Sequence, residues 1–290
     1  MKFGLRYANL GRYTEPGPAV EIAQAAEEAG FESIWTIEHV IVPDRYESVY
    51  PYAASGKMTS DNSMPIPDPL VWLTYVAAVT ERIKLATGIL IVPQRNPVVL
   101  AKTLASIDHL SGGRMLFGIG VGWLEEEFNA LGIPFADRGQ RTDDHIAALR
   151  ALWTQPEASH KSEYSSFTGA ISRPQPTQGT VPIVVGGHSK AAARRAGRLG
   201  DGFFPGKGSH EELAELIDVM RETATEHGRD PDAIAITAGG NGALGSGALD
   251  EVKALADLGV SRVIVPPLSF DPRSQPEAFA KYGEDVISRC

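Results

Sequence analysis

The pair Glu38-His39 places two titratable side chains side by side at the end of an apolar, β-branched run, Ser33–Ile37. Histidine can donate or accept a proton near neutral pH. Because neighbouring residues of a strand face opposite ways, we expect only one of the two to point into a pocket. His39 is therefore the candidate catalytic residue. The alternative is a hydrogen-bonded structural histidine, with Glu38 paired to an arginine nearby.

The stretch LFGIGVGW, residues 116–123, carries three glycines at alternate positions. It departs from the dinucleotide-binding fingerprint because its third glycine comes one position early and does not run directly into a helix. Alternate residues of a strand share one face, so Gly118, Gly120 and Gly122 would clear that face for a flat ligand. In the other interpretation, Gly118 permits tight packing while Gly120 and Gly122 shape a turn.

A second glycine-rich stretch, IVVGGHSKAAARRAGRLGDGFF (183–204), predicts a strand, a turn at Gly186-Gly187 and an alanine-rich helix capped by Ser189. Free amide groups and the positive end of the helix dipole form an anion site there, and phosphate is the expected anion. A short turn that needs glycine only for its backbone angles is the alternative.

Two other charged features remain open. Lys207, in FFPGKGS, could bind a second anionic group or could simply be solvated. Residues Glu125, Glu126 and Glu127 are interpreted as the solvated first turn of a helix, favoured by the helix dipole.

The elements that must position these residues alternate between short apolar runs and segments of helical period, a pattern typical of βαβ units. Eight strand–helix pairs favour a (β/α)₈ barrel, that is, an α/β TIM barrel, over a doubly wound sheet. We predict one domain over 1–290, with insertions after strands two and four and before strand five. The predicted strands are Phe3–Ala8, Ser33–Ile37, Lys84–Val92, Arg114–Ile119, Pro182–Val185, Gly202–Phe204, Ile234–Ala238 and Arg262–Val265.

Composition narrows the class of partner. The net charge is −9 without a basic cluster, which argues against nucleic acid and anionic membranes and favours a small-molecule substrate. The one cysteine, Cys290, allows no intramolecular disulfide, and the seven histidines lack ligand spacing, so we predict no metal site. No apolar run approaches the roughly 18 residues of a membrane span, and we expect a cytoplasmic protein.

The chain resembles the bacterial luciferase-like superfamily of flavin and deazaflavin oxidoreductases in four segments. These are SIWTIEHVIVP (33–43), LATGILIVPQRNPVVLAKTLASIDHLSGGRMLFGIGVGW (85–123), FADRGQRTDDHIAALRALW (135–153) and PIVVGGHSKAAARRAGRLGDGFFP (182–205). The Glu-His pair and Gly-Val-Gly-Trp are more similar to the branch that uses coenzyme F420 than to the monooxygenases that use FMN.

The resemblance implies a barrel that is usually a homodimer, with the cofactor ring at the carboxyl ends of the strands. It implies that His39 lies beside the reactive edge of the ring and that a cis peptide joins Gly88 to Ile89. It also implies that the phosphate lies at Gly186-Gly187. The expected cofactor-binding residues are Asn9, His39, Thr87, Gly88, Ile89, Gly120, Gly122, Gly186, Gly187 and His188.

One position departs from the pattern. Related sugar-phosphate dehydrogenases carry a glutamate as proton donor where this chain has Trp123, although Lys207 resembles their anion-binding lysine. Trp123 and Lys207 are thus the candidate substrate residues. The resemblance favours an F420-dependent oxidoreductase; an FMN-dependent monooxygenase and a non-catalytic F420-binding protein are the alternatives.

Overall fold

The computed structural model describes residues 1–58, 61–206, 208–269 and 271–290. Its strands are β1 (Lys2–Leu5), β2 (Ser33–Thr36), β3 (Lys84–Thr87), β4 (Leu90–Ile91), β5 (Met115–Gly120), β6 (Ala158–Lys161), β7 (Ser166–Ala170), β8 (Ile183–Gly186), β9 (Gly202–Phe204), β10 (Ala235–Ala238) and β11 (Arg262–Val265).

The α-helices are α1 (Pro16–Glu28), α2 (Pro69–Ala77), α3 (Pro97–Leu110), α4 (Glu125–Ala130), α5 (Arg138–Thr154), α6 (Lys190–Leu199), α7 (His210–Glu226), α8 (Ala248–Asp257) and α9 (Gln275–Asp285). Short 3₁₀ helices occupy Gly11–Thr14, Val92–Gln94, Pro231–Ala233, Asn241–Ala243, Gly245–Gly247, Pro272–Ser274 and Ile287–Arg289. Among the described helices, none has both the length and the apolar character needed to cross a membrane.

Eight parallel strands close into a barrel in the order β1, β2, β3, β5, β8, β9, β10, β11, with β11 paired to β1. The predicted (β/α)₈ barrel is confirmed. The predicted strand 84–92 is broken, because β3 ends at Thr87 and the short β4 begins at Leu90. The peptide between Gly88 and Ile89 is cis, as the resemblance implied.

Two apolar layers hold the barrel together. The larger lies between strands and helices and includes Phe3, Leu5 and Phe117. The smaller fills the barrel interior, where Trp35 packs with Leu116 and other inward side chains. Successive side chains of a strand point alternately to the outer and the inner layer. Because both layers are apolar, most positions of the strands are apolar in the sequence.

Local signals set the helix boundaries near the site. The Asn96 carboxamide accepts hydrogen bonds from the amides of Val98 and Val99 at 3.0 and 3.2 Å, so α3 begins at Pro97, directly after this cap. Ser189 caps α6 through the amide of Ala192, at 3.2 Å.

The three predicted insertions are present. Residues 37–68 separate β2 from α2, residues 121–137 contain α4, and residues 155–182 contain the antiparallel hairpin of β6 and β7. The hairpin was not predicted from the sequence. We call residues 38–58 and 61–67 the mouth loop, because its side chains contact residues that follow β5 and β8 at the carboxyl end of the barrel.

Candidate active site

His39 lies at the barrel mouth beside a buried carboxylate. Its side chain is 12% exposed, and Nδ1 lies 3.4 Å from Oε2 of Glu127, although the two atoms do not meet hydrogen-bond geometry. Its ring meets Trp123 edge to face, with centroids 5.9 Å apart. The barrel mouth therefore presents an imidazole fixed between a carboxylate and an indole.

Glu127 also fastens the start of the mouth loop. Its Oε1 accepts hydrogen bonds from the amides of Val40 at 2.6 Å and Ile41 at 3.2 Å, and Gln94 donates to Oε2 at 3.1 Å. Burial acts to raise the pKa of Glu127, but the His39 ring and these hydrogen bonds outweigh it, so the pKa lies below its usual value. The carboxylate is charged at neutral pH.

Glu126 makes a second attachment to the same loop. It accepts hydrogen bonds from the amide of Glu47 at 2.6 Å, and from the amide and hydroxyl of Ser48 at 3.1 and 2.7 Å. Burial opposes ionisation, but these donors together outweigh it and lower the pKa of Glu126 to about 2. The prediction that residues 125–127 form a solvated turn is wrong for Glu126 and Glu127, because α4 packs against the mouth loop.

The neighbour of His39 turns the other way. The Glu38 carboxylate accepts hydrogen bonds from Arg95 and from the amide of Ile91, at 2.6 Å, and Arg95 also contacts Asp68 at 2.8 Å. Glu38 thus takes the alternative role that the sequence left open, pairing with an arginine. Burial raises its pKa, and Arg95 opposes that change.

Aromatic side chains of the mouth loop continue the wall that begins at His39. Trp123 contacts Tyr46 and Tyr50, with centroids 5.5 and 5.1 Å apart. Tyr50 meets Tyr52 at 5.4 Å, and Tyr52 meets His188 at 5.0 Å. A row of aromatic rings therefore crosses the mouth from the β2 side to the β8 side.

The glycines of the stretch 116–123 face other protein atoms. A side chain on Gly118 would overlap the carbonyl oxygen of Thr87, and one on Gly120 would overlap the side chain of Ile89. Gly122 has a φ of +85° and lies against Phe128. The interpretation that they leave a face open for a ligand is therefore wrong at these three positions, since close packing fills the space.

Ile89 also lies against Gly186, where a side chain would approach its Cγ2 to 2.6 Å. The side chain of Ile89 is thus seated between two glycines from neighbouring strands. This packing fixes the Gly88–Ile89 unit at the carboxyl end of the barrel.

In the turn after β8, the Gly187 amide is bonded within the fold, so this amide is not one of the free amides that the sequence predicted for an anion. Gly187 has a φ of +127°, and its amide donates to the carbonyl of Phe204 at 3.0 Å, which holds the turn against β9. Ser189 caps α6, whose first turn is open to solvent at Lys190 and Ala191. The positive end of the helix dipole therefore faces the mouth side of the barrel.

The chain matches the model of a family described as luciferase-like monooxygenase over residues 4–274. It belongs to the luciferase-like monooxygenase family. An uncharacterized protein of Mycobacterium tuberculosis is 33% identical over 279 residues, covering 93% of this chain and 94% of the relative.

Among luciferase-like relatives of stated activity, an F420-dependent glucose-6-phosphate dehydrogenase of Kineococcus radiotolerans is 31% identical over 231 residues. The alignment covers 78% of this chain and 63% of the relative. The solved structure of a long-chain alkane monooxygenase is similar in fold, with a TM-score of 0.80 at 17% identity, covering 100% of this chain and 90% of that one.

Most of the predicted site residues of this luciferase-like chain lie at one end of the barrel. Several of them, however, form hydrogen bonds within the fold. Asn9 is fully buried and exchanges hydrogen bonds with the backbone of Ile37 at 2.8 and 2.9 Å. The Thr87 hydroxyl donates to the carbonyl of Gly118 at 2.6 Å. Both residues hold strand ends together. Lys207 lies outside the described residues.

Sequence reasoning missed Glu126, Glu127 and the tyrosines of the mouth loop. The tyrosines could have been predicted, because an aromatic-rich insertion at the carboxyl end of a barrel strand is expected to line the active site. Glu127 had none, since three successive acids at a helix start normally face solvent.

Proposed function

We propose that this protein is an F420-dependent oxidoreductase that moves a hydride between the deazaflavin and a small organic substrate. The observation that carries the proposal is the His39–Glu127 pair beside Trp123 at the barrel mouth. A histidine held next to a charged carboxylate can orient a cofactor ring or move a proton during hydride transfer. The similarity to an F420-dependent dehydrogenase supports the same choice of cofactor.

The residues present fit such a cofactor. His39 has a buried Nδ1 without a hydrogen-bond partner in the described part of the chain, and a Cβ on Gly187 would lie 2.9 Å from the Cβ of Ala192 in the first turn of α6, so the turn there has room only for glycine. His39 and the Gly88–Ile89 unit would hold the ring, and the first turn of α6 would hold a phosphate. When bound, a deazaflavin supplies a carbon that accepts or donates hydride without activating oxygen readily.

Position 123 is a tryptophan, so this chain lacks the glutamate that would act there as the proton donor in sugar-phosphate oxidation. The indole, with Tyr46 and Tyr50, presents an apolar wall instead. We infer an organic substrate with an apolar or aromatic portion that packs against this wall.

The second candidate is an FMN-dependent monooxygenase, supported by the family description and by the likeness in fold to an alkane monooxygenase. Purified protein should be titrated separately with F420 and FMN, following the fluorescence of each cofactor. Tight F420 binding supports the first proposal, whereas tight FMN binding, with no affinity for F420, supports the second.

A measurement of turnover distinguishes the two candidate enzymes, the F420-dependent oxidoreductase and the FMN-dependent monooxygenase, from a non-catalytic F420-binding protein. Reduced F420 with a panel of aromatic and apolar carbonyl compounds should give cofactor reoxidation without oxygen, and His39→Ala should slow it by about 10²-fold or more. Binding of F420 together with rates that His39→Ala leaves untouched would instead support the non-catalytic reading.

We also infer a homodimer that pairs through α2 and α3. Helix α2 is apolar on most of its surface: Leu73 faces the core, while Val71 is 68% exposed, and Val99 of α3 is 64% exposed. A helix of this kind is normally covered. Sedimentation of Val71→Asp/Val99→Asp should give a monomer, whereas Ile171→Asp, at an exposed position elsewhere, should leave the dimer intact. The cytoplasmic location stays a prediction.

A further inference from the structure

Arg6 faces the inside of the barrel at its carboxyl end. Phe3 and Leu5 belong to the outer apolar layer, whereas a side chain on Gly4 would overlap Trp35 in the interior. The Arg6 amide donates to the carbonyl of Val265 at 2.9 Å, so the strand pairing and its alternation continue to this residue. Arg6 is therefore an inward position at the mouth of the barrel.

The charge of Arg6 has no partner in the described ranges. No carboxylate there forms an ion pair with it, and its Nε atom is buried without a hydrogen-bond acceptor. The guanidinium carbon lies 4.7 Å from the centroid of the Tyr7 ring. A cation–π contact leaves the terminal N–H donors of this half-buried guanidinium available, and an arginine shielded in this way normally binds an anion.

The residues around Arg6 come from the mouth itself. Tyr7 has a φ of +60°, a left-handed backbone conformation that is uncommon outside glycine and is found at functional sites. A methyl group on Gly240, after β10, would lie 3.9 Å from a terminal nitrogen of Arg6. The guanidinium thus lies between the loops that follow β1 and β10.

Two tyrosines of the mouth loop, Tyr50 and Tyr52, also belong to the surroundings of Tyr7 and Arg6. Burial, together with nearby Tyr7 and Tyr52, raises the pKa of Tyr50 to about 12, and Arg6 opposes that change. Burial and Tyr7 also raise the pKa of Tyr52. Both hydroxyls stay protonated at physiological pH, and that of Tyr50 can donate a hydrogen bond to a group held by Arg6.

The position of Arg6 separates it from the phosphate site. In the closed barrel, β2, β3 and β5 lie between β1 and β8 on one side, and β9, β10 and β11 on the other. The Arg6 guanidinium and the first turn of α6 therefore belong to diametrically opposed strands. One small anionic group cannot lie against both.

We propose that Arg6 binds the carboxylate of an organic acid substrate whose apolar or aromatic body packs against Tyr50 and Trp123. The planar guanidinium presents two parallel N–H donors, which match a carboxylate. The aromatic wall contributes the apolar contact that a sugar lacks. The proposal deepens the proposed function, on which it rests, by naming the class of substrate that shares the mouth with the cofactor.

The test uses the cofactor-free protein, with phenylacetate and its neutral analogue phenylacetamide as probes in titration calorimetry. Phenylacetate should bind the wild type about tenfold or more tightly than phenylacetamide does. Arg6→Gln should weaken phenylacetate by about tenfold or more and leave phenylacetamide unchanged, and Arg6→Lys should recover part of the loss. Arg45→Gln, at a side chain 97% exposed, is the matched control and should change neither.

Equal binding of the acid and the amide by the wild type, or an Arg6→Gln variant that keeps full affinity for phenylacetate, overturns the proposal. The same variants are titrated with F420, whose affinity Arg6→Gln should change by about twofold or less. Parallel loss of F420 affinity assigns Arg6 to the cofactor and also overturns it. A wild type that binds phenylacetate through Arg6 but never binds F420 defeats the proposed function alone.

Discussion

The Nδ1 atom of His39 lies 3.4 Å from a carboxylate oxygen of Glu127, which at the same time holds the amides of Val40 and Ile41. One buried acid therefore fixes both the imidazole and the backbone that carries it. Since the carboxylate does not itself face the mouth, Glu127 is a positioning residue, and its removal should act through His39.

Glu127→Gln keeps an acceptor for the two amides but removes the charge beside His39. We expect a loss of about 1–3 kcal/mol in the free energy of unfolding, measured in urea. We also expect a fall of about tenfold in kcat with little change in KM, because the imidazole loses its fixed orientation. Glu127→Asp should recover part of kcat. The control is Glu125→Gln, at an exposed position on the same helix. Equal kcat in Glu127→Gln and the control would contradict the positioning role.

The attachment of Glu126 to Glu47 and Ser48 should depend on pH. The folded pKa of about 2 lies below the ordinary value of 4.5, so this attachment stabilises the folded loop above about pH 4.5 and is lost as the pH falls towards 2. Pepsin should therefore cut the mouth loop faster as the pH is lowered through this range. Glu126→Gln lacks the carboxylate at every pH and therefore corrects for the pH dependence of pepsin itself: the wild type should be cut more slowly than the variant near pH 4.5 and equally fast near pH 2, while identical profiles would contradict the attachment.

The anion site at α6 can be tested without straining the turn. Any side chain at Gly187 must adopt a φ of +127°, so a change there alters the backbone as well as the charge. Ala191→Glu instead places a carboxylate on the exposed first turn, where it suits the helix dipole but repels a phosphate. F420 affinity should fall by about tenfold. Ala191→Gln, of the same size without the charge, should retain most of it; equal losses would place the phosphate elsewhere.

The sequence allowed the barrel, the helix caps and the position of the mouth to be predicted, because each depends on local signals. Strand alternation would also have placed Arg6 inside the barrel, had it been applied to Phe3–Ala8. The roles of Glu126 and Glu127 could not be predicted, since their partners in the mouth loop lie 78 to 88 residues earlier. The sequence predicts that the glycines of residues 116–123 leave room for a flat ligand. In the fold, Thr87, Ile89 and Phe128 lie against them instead, and these contacts cannot be inferred from the local sequence.

The side chain of Ile89 lies between Gly120 and Gly186, and Gly120 should therefore be sensitive to substitution. A methyl group on Gly120 would overlap Cδ1 of Ile89, so Gly120→Ala should lower the free energy of unfolding by about 1–3 kcal/mol. Ile89→Val removes that Cδ1 atom and should restore most of the loss in the double variant, giving a clear coupling energy in a double-mutant cycle. Gly17→Ala, which meets no atom within 4 Å and lies in α1, is the control and should be neutral or slightly stabilising. If the two changes at 120 and 89 are simply additive in urea unfolding, Ile89 does not depend on Gly120. If they couple, the missing side chain at Gly120 is what leaves room for Ile89.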